Sequence, residues 1–177
     1  MLSYSPKCVN GAHSWRFREG DIMFQVGDQV CYPMHGIGVV QAIEEQEVLG
    51  EIKSYYMLRF ALGRMTAMVP VGSAENVGLR AVISAEECDK VQAYMHEDAI
   101  ADSDNWNQRY RDNLDKLRQG EIYGVADVVK CLIRREKDKG LSTGERKMFL
   151  TAKQVLLAEL IAASGKEEEE FKVCMGE

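Results

Sequence analysis

The sequence predicts an α+β protein of two modules, a small N-terminal β barrel followed by a C-terminal all-α helical bundle. Three observations support this prediction. From residue 23 to residue 80, short β-branched and aromatic segments are separated by turn residues. From residue 84 onward, apolar residues recur at the helical spacing of three and four. The 177 residues are 46% hydrophobic and include only 3 prolines, which is an ordinary globular composition.

Residues 1–22 show no periodicity, and we expect them to be a disordered or non-native extension. Charged residues such as Lys7, Arg16 and Arg18 interrupt this stretch, so it lacks the apolar segment of a secretory signal. The chain contains no run of about 18 apolar residues, which a membrane-spanning helix requires. The sequence therefore predicts a cytoplasmic protein without a membrane partner.

The barrel module covers residues 23–80 and is expected to contain four main strands. Val26-Gly27-Asp28 forms the entry turn, Leu49-Gly50 fits the tip of a hairpin, and Pro70 ends the last strand because it cannot donate to a ladder. The predicted strands cover residues 29–33, 37–48, 51–60 and 65–69. Several short strands joined by turns are typical of a small barrel.

No enzyme, metal or cofactor site is predicted. The five cysteines and three histidines are scattered, without a C-x-x-C spacing, which disfavours zinc and a disulfide framework. Gly36 and Gly38 are not followed by a helix, so they are turn residues rather than a dinucleotide loop. Cys31 and His35 lie on either side of Pro33, which disfavours a Cys–His nucleophile pair.

The helical module, residues 84–163, is expected to contain four helices with recognisable ends. Ser84 with Glu87, and Ser142 with Glu145, fit capping boxes, in which the hydroxyl and the carboxylate each accept a backbone amide. The other predicted boundaries are His96 at the end of the first helix, Ser103 or Asp104 before the second, Gly120 after it, Ile122 at the start of the third and Gly140 after it.

Two polar segments border these helices. Residues 97–103 are predicted to be a linker. Residues 164–177 include the run Glu167 to Glu170, whose like charges repel, so we expect an acidic disordered tail.

The net charge of −6 argues against a nucleic-acid partner, but residues 104–160 carry 12 basic and 9 acidic side chains, a net charge of +3. The basic residues of the third and fourth helices fit two alternatives, a phosphate-binding face or a solvated helix surface interleaved with Glu136 and Asp138. These basic residues are Lys130, Arg134, Arg135, Lys137, Lys139, Arg146 and Lys147.

Trp106 opens the second helix among polar residues, with Arg109 and Arg111 following it. Such an indole can stack on bases or wedge between them, while the helix N-terminus and the arginines favour phosphate. The alternative is a core role, because Trp106 also begins an apolar stripe. The stripe continues through Tyr110, Leu114 and Leu117.

An ordered set of motifs, from about Met23 to Leu160, resembles the CarD/CdnL family of bacterial transcription regulators. Its first module is similar to the polymerase-interacting domain of transcription-repair coupling factor. The matching residues are Phe24, Val26-Gly27-Asp28, Val30, Tyr32-Pro33, His35-Gly36, Val69-Pro70, Asn76-Val77-Gly78-Leu79-Arg80, Asn105-Trp106, Arg109-Tyr110, Gly140-Leu141-Ser142 and Gly144-Glu145.

This resemblance implies a Tudor/SH3-like barrel that binds the RNA polymerase β subunit and a helical domain that binds promoter DNA with low sequence specificity. It implies that Trp106 wedges into the minor groove at the upstream edge of the transcription bubble and favours the open complex. The expected DNA-binding residues are Trp106, Arg109, Arg111, Arg135, Arg146 and Lys147.

The barrel departs from some relatives, which carry arginine at the position of Met68 and another near Gln46. We therefore expect apolar residues to contribute more to polymerase docking, in a protein that is a monomer. The expected polymerase-binding residues are Gln46, Ile52, Met57, Met65 and Met68. Two alternatives stay open: an adaptor that docks by strand addition without binding DNA, and an enzyme, which would need a convergent polar pocket.

Overall fold

The computed structural model describes residues 24–61, 65–98 and 103–176, which form an antiparallel five-stranded sheet followed by four helices. This arrangement confirms the predicted class, a Tudor-like β domain joined to a helical module. The extension predicted at residues 1–22 lies outside the described residues, as do residues 62–64, between the third and fourth predicted strands, and residues 99–102 of the predicted linker. No helix in the described ranges has both the length and the apolar character to cross a membrane.

The sheet has the strand order β4-β3-β2-β1-β5, and each strand is antiparallel to its neighbours. Leu49 and Gly50 have φ values of 55° and 80°, the conformation of a tight two-residue hairpin, so the predicted tip is confirmed. The last strand was not predicted, because two residues are too few to show alternation. The strands are β1 (Gln29–Tyr32), β2 (Gly36–Val48), β3 (Glu51–Phe60), β4 (Thr66–Pro70) and β5 (Arg80–Ala81).

Alternation along β3 builds the barrel core. Tyr56, Leu58 and Phe60 are buried, whereas Arg59 between them is exposed. The Tyr56 hydroxyl accepts a hydrogen bond of 3.2 Å from the amide of Phe24, which ties the start of the module to its centre. The other core residues are Val30, Val40, Val69, Ala74 and Leu79.

The four helices are α1 (Ala85–His96), α2 (Trp106–Gln119), α3 (Ile122–Asp138) and α4 (Thr143–Ser164). Ser142 and Glu145 form the complete capping box that the sequence predicts for α4. Gly120 ends α2 with φ of 72°, a left-handed value that glycine adopts without strain. The cap of α2 was misassigned: Asn105, not Ser103 or Asp104, accepts the free amides of the first turn.

The helical core is mostly apolar, but it also encloses a few charged and polar residues, and one of these, on α3, corrects the predicted basic stripe. Lys130 is buried, and its ammonium group donates a 2.7 Å hydrogen bond to the carbonyl of Tyr94 and lies 3.9 Å from the centre of the Tyr94 ring. Lys130 is therefore unavailable to phosphate. The fully enclosed apolar residues of this core include Val91, Val129, Leu132, Ala152, Leu156 and Leu160.

The prediction of a disordered tail is wrong for residues 165–176. A short 3₁₀ helix at Glu168–Phe171 leads into a turn, and both Phe171, with 0% of its surface exposed, and Met175 pack into the helical core. The glutamates before them stay in solvent, where charge repulsion is weak. Burial of two large apolar side chains outweighs that repulsion.

The two modules are joined through Arg80, at the start of β5. Its guanidinium donates to the Gly120 carbonyl at 2.8 and 3.1 Å and forms a 2.5 Å ion pair with Glu159 of α4. Pro33 packs against the same turn, so closely that a Cβ on Gly120 would lie 2.6 Å from the proline ring. The barrel is thus fixed against the ends of α2 and α4.

Candidate nucleic-acid interface

Trp106 is the first residue of α2, and 44% of its surface is exposed. Its ring stacks on Tyr110, with centres 5.3 Å apart and planes inclined by 23°. Its indole Nε1 donates a 3.0 Å hydrogen bond to the Ser142 hydroxyl at the start of α4. The N-termini of α2 and α4 therefore meet at a half-exposed aromatic ring, which Ser142 and Tyr110 hold in position.

The apolar stripe of α2 is buried at its C-terminal end and exposed at its N-terminal end. Leu117, at the C-terminal end, is buried, and Tyr110 and Leu114 are partly buried. Exposure increases toward Trp106, which lies outside the core. The stripe packs against the core over most of its length and leaves one aromatic ring at the surface.

Arg109 is not placed at the surface, and we correct its expected contact with phosphate. Only 1% of Arg109 is exposed, and its Nε and Nη2 lie 2.8 and 2.6 Å from Oε1 of Glu145. Its Nη1 donates to the carbonyl of Ser103 at 2.7 Å. The buried guanidinium binds other groups of the protein and thereby links the start of α2 to the capping box of α4.

Glu145 is the centre of this buried cluster, with 2% of its surface exposed. Burial by itself would raise the pKa of the carboxyl, but hydrogen bonds from Ser142 and Arg109 hold that pKa below its ordinary value. Arg135 of α3 is partly buried, with its Nε 3.5 Å from the same carboxylate. Glu145 is therefore ionised at neutral pH, and Arg135 contributes more to this cluster than to the surface.

Three of the predicted cations are exposed near the ends of α2 and α4 that meet at Trp106: Arg111, Arg146 and Lys147. Arg146 forms a 2.9 Å ion pair with the half-exposed Glu136, which a phosphate would have to replace. Within the described ranges, Arg111 and Lys147 have no carboxylate within ion-pair distance. Amides at the two helix N-termini add to the positive potential at this end of the bundle.

The predicted polymerase-binding residues do not share one face of the barrel. Met57 lies opposite Met68 across β3 and β4, and Gln46 lies on the same face opposite Lys53. Ile52 is separated from Met57 by five positions along β3, so it points to the other face, and Met65 lies just before β4, outside the strand. Ile52 is nonetheless 71% exposed, near the β2–β3 hairpin tip.

The Cys31–His35 pair considered above has no catalytic geometry. Burial, followed by the nearby charge of Glu159, raises the pKa of the Cys31 thiol to about 12, so the reactive thiolate is absent at neutral pH. His35 instead stacks on Tyr32 at 5.2 Å. Over the described ranges, no group of three or more His, Cys, Asp or Glu residues is arranged to hold a metal ion.

Sequence reasoning missed the link between α2 and α4. Ser142 and Glu145 were identified as a cap, and Tyr110 as a stripe residue, but their contacts with Trp106 and Arg109 were not foreseen. The local pattern shows the capping box and nothing more, because the partners are 36 positions apart.

Comparison with known proteins gives matches over both modules. Residues 24–83 match the family described as the CarD-like/TRCF RID domain, and residues 90–175 match the family described as the CarD C-terminal domain. The protein YdeB of Bacillus subtilis (strain 168), provisionally named a transcription factor, is 39% identical over 153 residues, covering 85% of this chain and 98% of its own. A solved structure of CdnLNt from Myxococcus xanthus is 38% identical and covers 38% of this chain and 96% of its own, with a TM-score of 0.31. From the two domain matches and the near full-length relative, we conclude that the chain belongs to the CarD/CdnL family of transcription regulators.

Proposed function

We propose that this transcription regulator binds the RNA polymerase β subunit through its barrel and promoter DNA through its helical module, and that Trp106 stabilises the open complex as a wedge. The observation that supports this best is the half-exposed indole, held at the meeting point of two helix N-termini beside exposed cations. On this proposal the protein acts as a monomer in the cytoplasm, without catalysis.

The barrel offers the polymerase both a face and an edge. Met57, Met68 and Gln46 lie on one face, and β4 (Thr66–Pro70) is an edge strand, which pairs with β3 alone among the described strands. A free strand edge can pair with a strand of another protein, and apolar side chains beside it add contact area. Ile52, which points to the opposite face, contributes only if the partner also reaches that face.

The wedge has a thermodynamic reason to favour melted DNA. Inserting an aromatic ring requires base steps to unstack, and this cost is smallest where the DNA is already distorted, as at the edge of a bubble. The binding free energy of the wedge therefore stabilises the open complex more than the closed one and shifts the equilibrium between them. The exposed cations bind backbone in both states and add little to this difference.

Replacing Trp106 by alanine is expected to shorten the lifetime of promoter open complexes. Base–aromatic stacking contributes about 1–3 kcal/mol, which corresponds to about 5-fold to 150-fold in lifetime. The loss of unfolding free energy should stay near 1 kcal/mol, because the ring lies outside the core. Tyr123→Ala is the matched control, since Tyr123 is a similarly exposed aromatic residue on α3. A folded Trp106→Ala protein that supports full open-complex lifetime would contradict the wedge.

Removing the exposed cations should weaken DNA binding at every sequence and reduce its salt dependence. Each of Arg111→Ala, Arg146→Ala and Lys147→Ala is expected to lower the slope of log K against log salt by about one unit. Arg118→Ala is the control, because Arg118 is also exposed but lies at the opposite end of α2. Filter-binding or anisotropy titrations over a range of salt concentrations measure the slope.

Unchanged slopes in all three variants would favour the second candidate function, a protein-interaction adaptor that docks through β4 and does not bind DNA. The observation that supports the adaptor function is that β4 lies at the edge of the described sheet, where a partner strand can pair with it.

A further inference from the structure

We infer that Ser142 is a positioning residue for Trp106: its hydroxyl holds the indole in the orientation that the DNA meets. The inference rests on the proposed wedge function and assigns a part of that function to a residue outside the wedge. It follows from how the hydroxyl is used, how its partner is fixed and what surrounds the ring.

The Ser142 hydroxyl uses its complete hydrogen-bonding capacity. It donates its proton to Oε2 of Glu145 at 2.7 Å, and it accepts from the Glu145 amide at 3.3 Å and from Nε1 of Trp106 at 3.0 Å. A hydroxyl has one donor and two acceptor lone pairs. Because the first two bonds fix its rotation, one lone pair has a set direction, and the indole N–H is aligned with it.

The partner of the hydroxyl is itself immobilised. Oε2 of Glu145 also accepts from the Ser142 amide at 3.1 Å, while Oε1 is held by the buried guanidinium of Arg109 at 2.6 and 2.8 Å. Charge-assisted hydrogen bonds between enclosed groups are short and strong. The Ser142 hydroxyl therefore links the half-exposed ring of Trp106 to rigid, buried groups of the bundle.

The faces of the ring are restricted as well. Tyr110 stacks on the indole, and a Cβ on Gly144 would lie 3.9 Å from Cζ2 of Trp106. Stacking limits the tilt of the ring but allows it to slide and rotate in its plane, whereas the hydrogen bond to Ser142 fixes the in-plane rotation. A ring ordered before binding avoids the entropy cost of ordering it on the DNA.

The experiment compares Ser142→Gly, which removes the hydroxyl at a cap position that glycine tolerates, with Ser142→Thr, which keeps it. Thr143→Ala is the matched control, since it removes a hydroxyl from the neighbouring exposed residue. All variants are made in the full chain with Trp15→Phe, so that Trp106 is the remaining tryptophan of the two. Time-resolved indole anisotropy and open-complex lifetime on one promoter are measured for each.

For Ser142→Gly we expect faster local motion of the indole and a lifetime shortened about two- to tenfold, the contribution of one hydrogen bond. Ser142→Thr and Thr143→Ala should match the parent protein in both measurements. In a Trp106→Ala background, Ser142→Gly should have no further effect on lifetime, because the two residues act as one unit.

The outcomes separate the inference from the proposed function. If Trp106→Ala shortens the lifetime but Ser142→Gly does not, or if Ser142→Gly shortens it equally without the tryptophan, the positioning role is wrong and the wedge stands. If Trp106→Ala leaves the lifetime unchanged, the wedge itself is wrong, and the role of Ser142 in promoter opening is overturned with it.

Discussion

Arg109→Ala is expected to lower the free energy of unfolding by about 3–5 kcal/mol, the cost of removing one partner from a buried ion pair. Glu145 is 2% exposed in the parent protein, and without Arg109 its ion-pair partner among the described residues is Arg135, at 3.5 Å. It also removes the bond from Arg109 to the Ser103 carbonyl, which anchors the chain before α2. Urea unfolding followed by circular dichroism measures the loss.

The exposed Arg111 provides the matched control, since it has the same side chain two positions along α2. Arg111→Ala should change stability by no more than about 0.5 kcal/mol, while reducing the salt slope of DNA binding as argued above. The opposite pattern, a stable Arg109→Ala protein with weakened DNA binding, would return Arg109 to the surface role that the family resemblance implies.

The stability that Arg109→Ala loses is expected to depend on pH. Folding lowers the pKa of Glu145 from its ordinary value of 4.5, despite the opposing effect of burial. A group whose pKa is lowered by folding stabilises the protein above its unfolded pKa, and this stabilisation is lost as the pH falls. The stability difference between parent and Arg109→Ala should therefore be full at neutral pH and narrow below about pH 4.

Arg109 also shows where sequence reasoning stops. The four longer strands, the Leu49-Gly50 tip and the Ser142–Glu145 cap follow from chemistry within a few residues, and they were predicted. The hydrophobic stripe of α2 indicated a core face through Trp106, whereas the most enclosed face carries Arg109, Asn113 and Leu117. The charge of Arg109 is accommodated on that face by the carboxylate of Glu145, 36 positions away, and no local pattern contains that partner.

The C-terminal tail was misjudged for a related reason. Four consecutive glutamates dominate its composition and favour disorder, but Phe171 and Cys174-Met175 follow within five positions. Such residues become buried only if the core offers a surface that can receive them, and here the packing of α1, α3 and α4 forms that surface. The tail was predicted from its charge, and its structure is set by three hydrophobic side chains.

Arg80→Ala is expected to have the second large effect, a loss of about 3 kcal/mol in unfolding free energy. Glu159 is 1% exposed, and without Arg80 its carboxylate retains the Cys31 thiol at 3.5 Å and the Ile83 amide at 3.3 Å. The Gly120 carbonyl loses two donors at the same time. Arg59→Ala, on the exposed side of β3, controls for the loss of an arginine from the sheet.

This variant also tests whether the two modules act as one rigid body. Arg80 contacts neither Trp106 nor the face of Met57 and Met68, so polymerase docking and DNA binding should each persist below the unfolding temperature. Their combined effect, stabilisation of the open complex, should be lost, because the wedge acts only if the docked barrel holds it at the edge of the bubble. We therefore expect Arg80→Ala to shorten open-complex lifetime while pull-down of the polymerase β subunit and the DNA salt slope stay unchanged. A full lifetime in a folded Arg80→Ala protein would mean that the connecting segment alone is enough to align the modules, and that the buried Arg80–Glu159 pair serves stability only.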